Sequence, residues 1–311
     1  MRFINTGTLT LLLTLFLRVE KSNAQQIVYR PDSIIYYQMF GLATNGLQAI
    51  KKITYEYDLQ FRPIVRNEYR FDRVSDKWIN NRRSTYQYIA QEVVIRNFSI
   101  NMAFEQIPVD REILIYKNAP VQMLQKRRET YDSVNRSTTL RQQTLFQYDK
   151  DSLTHVDENT LSTTFYKSSQ SDFKMSKQIL SEDWKEFTEL DGLVKQHQKR
   201  KYIFQKGQLT QKETLFVSDS NRLKTSVYVY DKTNKLICDS LYAMSPRQKG
   251  KQYEQIIQYL YDKNDRLQEQ RILQTDAKGK AKVSTNNQLV RYYCRKESPI
   301  LIEPIGQYIY R

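Results

Sequence analysis

The 311-residue chain carries 49 Lys and Arg against 34 Asp and Glu, a formal charge of +15, with 23 Tyr but only two Cys and two His. So few Cys and His, without HExxH or CxxC spacing, leave no metal-site signature, and neither a G-x-S-x-G elbow nor a Gly-rich phosphate loop is present. The length suffices for one large or two smaller cores.

Residues 1–24 read as a secretory signal peptide. Arg2 forms the positive end, Leu9 to Leu17 the apolar stretch, and Ser22-Asn23-Ala24 ends in a small residue before Gln25. A stretch of nine residues falls far short of the roughly 20 that span a bilayer as a helix. Cleavage would remove three positive charges and one negative, leaving net +13. A basic exported chain is drawn to anionic envelope material. Its positives are nevertheless spread along the sequence, with the tightest runs at Lys126-Arg127-Arg128 and Lys199-Arg200-Lys201, so they serve equally well to solvate strands. Nucleic acid is not an expected partner.

From residue 25 to 120 the sequence predicts an N-terminal β region of irregular hairpins. Tyr55-Glu-Tyr57-Asp58 with Arg62 is the first clear one, followed by looser copies such as Tyr69-Arg-Phe71-Asp72. The segment Asn101 to Leu124, containing Pro108 and Pro120, breaks the aromatic rhythm and marks a boundary or long connection.

From 121 to 311 the hairpin signal strengthens. Copies stand at Tyr131-Asp132, Phe146-Gln-Tyr148-Asp149, Tyr228-Val-Tyr230-Asp231 and Tyr259-Leu-Tyr261-Asp262. In each, aromatic or β-branched residues alternate on one face of a strand. The following Asp, Asn and Ser bond their own backbone in a turn, and a basic residue starts the return at Arg136, Lys235 and Arg266. Asp191-Gly192 and Lys206-Gly207 are further hairpin signals. Hairpin turns are therefore expected at Asp58, Asp191, Lys206, Asp231 and Asp262. Asp172 to Leu190 has helical spacing at Phe173, Leu180, Trp184 and Phe187, but the Asp-Gly turn after it makes its second half strand. The fold class is all-β: an extended antiparallel meander of repeated hairpins in a large twisted sheet, curved or partly closed, either continuous or in two unequal halves.

Tyr-x-Tyr-Asp-x-x-x-Arg-Leu at 259–267, with the copies at 228–236 and 55–63, resembles the YD repeat of RHS-type proteins. None of these three has the glycine that the repeat places before its basic residue. The chain is also similar to exported Bacteroidetes proteins that join a short signal ending in Ala-Gln to tyrosine-rich YD-like hairpins. The resemblance implies a long twisted sheet used as shell, scaffold or binding surface, with no catalytic residues and no cofactor.

Candidate sites are few. Tyr228, Tyr230, Tyr259 and Tyr261 would share one face, with Lys235 and Arg266 near the return strands. Such a face could stack sugars and attract acidic groups, as an anionic glycan requires, or simply stabilise the sheet. Cys238 and Cys294 could form a disulfide in an oxidising compartment, or remain free thiols. His197 is read as solvated, and His155 lies close to Asp157 and Glu158. Glu182-Asp183 is a carboxylate pair only in sequence. Asp-Ser-apolar triplets at Asp32, Asp132, Asp151 and Asp239 suit turns or, in Bacteroidetes, O-glycosylation. The expectation is an exported, non-catalytic envelope protein of the periplasm, outer-membrane surface or exterior, acting as scaffold or binding module. The alternatives are a periplasmic half-barrel carrier of lipid, an outer-membrane barrel and a secreted hydrolase.

Overall fold

The computed structural model describes residues 31–293, apart from 41–45, 61, 118–121, 150–151, 163, 177, 190, 218–221, 245–251, 277 and 285. The signal segment and Cys294 lie outside the described residues.

The described chain is an all-antiparallel meander of eighteen strands, in which each strand pairs with the next in sequence. It does not stop at a curved or partly closed sheet. β18 (Gln288–Tyr293) pairs with β1 (Ser33–Met39) from Ser33↔Tyr293 to Gln38↔Gln288, so the sheet closes into a complete barrel. Closure removes both sheet edges, which no amount of edge lysine achieves as fully. A half-barrel carrier is thereby corrected as architecture.

Helical spacing over 172–190 does not make a helix. β10 (Phe165–Ser176) and β11 (Ile179–Phe187) form a hairpin there, with Phe173 opposite Glu182 and Ser171 opposite Trp184. Period-two alternation between neighbours outweighs a helical pattern that has no cap or partner face. The ladder also runs through the aromatic-poor stretch after Asn101: β6 (Gln106–Lys117) pairs with β5 (Glu92–Ile100) and β7 (Gln122–Asp132).

The YD phrase is the hairpin unit, and the structure supplies its mechanism. At the end of β14 (Arg222–Tyr230), the Asp231 carboxylate accepts from the Thr233 and Lys235 backbone N–H groups, at 2.8 and 2.9 Å. Asp262, after β16 (Gln252–Tyr261), does the same for Asn264 and Arg266, and Asp58, after β2 (Leu47–Tyr57), for Gln60 and Arg62. A β-bulge precedes the second tyrosine each time, between Glu56 and Tyr57, Val229 and Tyr230, and Leu260 and Tyr261. That ring stands at the hairpin base. There its hydroxyl donates to a carbonyl at the start of the preceding strand: Tyr57 to Pro31, Tyr230 to Leu209 and Tyr261 to Leu236, each at 2.9 Å. Tyr88 does the same to Pro63 at 3.0 Å. Phenylalanine could not make this bond, which accounts for tyrosine at these positions.

The missing glycine also has an explanation. Asn234 and Asp265 occupy its slot with φ of 66° and 64°, the left-handed region that Asn and Asp tolerate best after glycine. One turn does keep the glycine. Asp276 accepts from the Lys278 and Lys280 N–H groups while Gly279 sits at φ 85°, a copy that the strand pattern alone does not reveal.

Candidate functional site

Alternation places Ile34, Tyr55, Arg66, Ser84, Ile95, Asn97, Glu112 and Leu114 on one face across β1 to β6. These residues, with Pro31, Tyr57, Pro63 and Tyr86, line a cavity of about 460 Å³. Face and cavity together identify the concave, inner side of the barrel. Its buried side chains gather toward the rim that carries the YD turns, in clusters around Leu114 and Tyr116 and around Leu180 and Tyr202.

Further along the strands the inner face turns polar. Glu68 bridges Lys51 and Arg66, both at 2.5 Å. Ser84 donates to Asn97, Asn97 to Asp110 at 2.6 Å, and Arg128 to Asp110 at 2.6 Å. Lys126 pairs with Glu112 at 2.9 Å. Across β10 to β12 (Val194–Gln205), Glu182 is nearly sealed from solvent and accepts from Ser171 at 3.1 Å, Arg200 at 2.9 Å and Tyr202 at 2.9 Å. Arg200 also lies 5.1 Å from the Trp184 ring. Burial, then the Glu182 charge, raises the Tyr202 hydroxyl far above its usual value.

Next to this satisfied cluster stands an unsatisfied one. Lys212, on β13 (Gln208–Phe216), is opposite Tyr202 on one side and Ser226 on the other. Asp239, on β15 (Leu236–Met244), is opposite Tyr228 and Ile257. Lys212 lies 5.5 Å from the Tyr202 ring, and a buried oxygen of Asp239 has no hydrogen-bond partner among the described residues. Burial, then Arg200, pulls the Lys212 ammonium down to about 8. Burial pushes Asp239 up to about 6, only partly opposed by Lys212.

The outer face is equally charged. Arg111 pairs with Glu129, Lys167 with Asp157, and Glu269 with both Arg271 and Arg291. His155 sits between Asp172 at 2.6 Å and Asp157 at 3.1 Å, and His197 is 2.8 Å from Asp183, so neither imidazole stands alone in solvent. Glu182 and Asp183 point to opposite faces and form no carboxylate pair.

The tyrosines singled out in the sequence do share the inner face: Tyr228 opposes Asp239, and Asp239 opposes Ile257, which alternates with Tyr259 and Tyr261. Their roles divide. Tyr230 and Tyr261 spend their hydroxyls on the hairpin bonds. Tyr228 and Tyr259 stand half-buried beside Asp239, their hydroxyls pushed upward by burial first and by that carboxylate second. Lys235 pairs with Asp265 at 2.5 Å and Arg266 with Asp262 at 2.7 Å, so both cations are engaged at the rim. Cys238 is a free thiol, 3.8 Å from the Ser240 hydroxyl; its proposed partner Cys294 is outside the described residues. Sequence reasoning met Arg200 only inside a basic run and Asp239 only in an Asp-Ser triplet, and it passed over Lys212, so none of the three was read as part of a site.

No family model matches the chain, and no curated protein does. Solved structures do. A porin-like protein from Bacteroides uniformis is 12% identical with a TM-score of 0.45, over 85% of this chain and 98% of that one. A porin-like protein from Bacteroides vulgatus is 9% identical with a TM-score of 0.40, over 86% and 99%. A protein of unknown function from Bacteroides fragilis is 18% identical with a TM-score of 0.34, covering 40% of this chain and 96% of its own. Likeness at these scores carries no argument about activity. Among the described residues no helix is long and apolar enough to cross a membrane.

Proposed function

We propose that this is an exported, non-catalytic β-barrel of the cell envelope that acts as a binding module, with its inner face as the binding surface and an anionic glycan as the preferred ligand. Charge in mid-strand on both faces is the observation that carries this reading. A barrel that crosses a membrane needs an outward apolar band about 25 Å tall. Here one face holds Arg66, Glu68, Asp110, Arg128, Glu182 and Arg200, and the other Arg111, Glu129, Asp157, Asp183 and Glu269. Either face in hydrocarbon would strand several ions at a cost of kilocalories each. The same mixture counts against a sleeve for lipid. Tyrosine rings interspersed with donors and acceptors suit a flat, hydroxyl-rich ligand, and the net positive charge favours an acidic one.

The test is retention of the mature protein on immobilised polygalacturonate and on neutral dextran. Retention on polygalacturonate that weakens with added salt is expected. Passage through both columns at low salt would overturn the reading.

A further inference from the structure

Lys212 and Asp239 face the lumen from strands that flank β14 on either side, with Ser226 and Tyr228 between them. Neither makes an ion pair or side-chain hydrogen bond with a described residue. Both are half-buried, and one Asp239 oxygen is sealed from solvent with no partner among the described residues. An ion in that position normally acquires a partner or is replaced by an apolar residue. The neighbouring cluster shows that this chain can build such a partnership: Glu182 has three donors.

We infer that Lys212, Asp239 and the rings of Tyr228 and Tyr259 form a saccharide subsite on the inner face. A sugar hydroxyl is donor and acceptor at once. It can accept from the Lys212 ammonium through one lone pair and donate to the Asp239 carboxylate through its proton. A simple anion satisfies only Lys212, and a simple cation only Asp239. The apolar face of a pyranose ring lies on an aromatic ring, and Tyr228 and Tyr259 flank Asp239 from either side of β15. Ser226 and Gln270, opposite Lys212 and Tyr259, add neutral hydrogen-bonding groups on the same face. The inference rests on the binding reading above and deepens it: acidic groups on the glycan supply long-range attraction, whereas this subsite reads hydroxyls.

That distinction sets the experiment. Binding of fluorescently labelled galacturonate and maltose oligomers to the mature protein is measured by anisotropy, alongside thermal melts, for wild type, Asp239→Leu, Asp239→Asn and Lys212→Met. Loss of a charge-assisted hydrogen bond weakens binding by about tenfold or more. The subsite predicts that loss for Asp239→Leu with both oligomers, a smaller loss for Asp239→Asn, and a loss for Lys212→Met. Melting temperature should stay level or rise, because leucine removes a buried, unpartnered charge. Attraction by positive charge alone predicts the opposite sign, since removing a carboxylate should tighten galacturonate binding. Unchanged or tighter binding by Asp239→Leu therefore overturns the subsite while the glycan reading stands. A wild-type protein that binds neither oligomer overturns both. Should the leucine variant melt early, the Asp239→Asn result decides the matter by the same sign.

Discussion

Truncating Asp262 to alanine tests the hairpin mechanism at its most repeated point. One carboxylate oxygen accepts from the Asn264 and Arg266 N–H groups, at 2.8 and 3.0 Å, and the other from the Arg266 guanidinium at 2.7 Å. Each hydrogen bond is worth about 1 kcal/mol net, and an exposed ion pair less than about 1. Asp262→Ala should therefore cost about 2–3 kcal/mol. Asp262→Asn keeps the side-chain oxygen that accepts from the two backbone N–H groups and should cost under about 1 kcal/mol. At about 2–4 °C per kcal/mol, the alanine variant should melt about 5–10 °C early, as followed by circular dichroism. The pH dependence has a definite sign. Desolvation pushes the Asp262 carboxyl up, but the Arg266 and Asn264 N–H groups and the Arg266 guanidinium together outweigh it and hold the group below its ordinary value of 3.8. Its contribution is thus complete above the unfolded-state value and fades as pH falls through the lower folded one. The gap between wild type and Asp262→Ala should be constant from neutral pH to about 5 and shrink below about 4. A cost under about 0.5 kcal/mol at neutral pH, or a gap that widens in acid, would refute the mechanism.

Three other outcomes follow from the same geometry. Tyr261→Phe deletes the bond to the Leu236 carbonyl and should cost about 1 kcal/mol in urea unfolding, whereas Tyr259→Phe, whose hydroxyl has no hydrogen bond to a described residue, should stay within about 0.5; equal costs would remove the division of roles. Asn234→Val forces a β-branched residue to φ 66° and should destabilise by about 1–2 kcal/mol, while Asn234→Gly should be near neutral; the pair is read by melting temperature. Glu182→Ala leaves the Arg200 guanidinium and Tyr202 hydroxyl without their shared acceptor and should cost about 3–5 kcal/mol, and a loss below about 1 would show that water replaces the carboxylate freely.

Much of the local architecture was legible because turn chemistry and alternation act within a dozen residues. Asp231-Lys-Thr-Asn234 and Asp262-Lys-Asn-Asp265 announce their hairpins, and the tyrosines before them announce which positions share a face. At 172–190 the turn chemistry after the segment marked its second half as strand, as β11 is, while the helical spacing misled over the first half, where only pairing with neighbouring strands decides. The functional residues were less visible. Lys212 and Asp239 are 27 positions apart, and nothing in either neighbourhood marks one as the other's companion.

By itself the sequence determined an all-β meander and its hairpin turns, since each follows from contacts between chain neighbours; the hydroxyl bonds that require tyrosine rather than phenylalanine reach residues 21 to 26 positions away and came from the structure. Tertiary structure decided closure. The pairing of Ser33 with Tyr293 joins residues at opposite ends of the described chain, and it depends on the summed twist, bulges and register of all the strands between them. It also decided which face is inner, because both faces carry charge and alternation cannot rank them. Only curvature crowds one face together, and that crowding buries Glu182 among its donors and leaves a sealed Asp239 oxygen without one among the described residues.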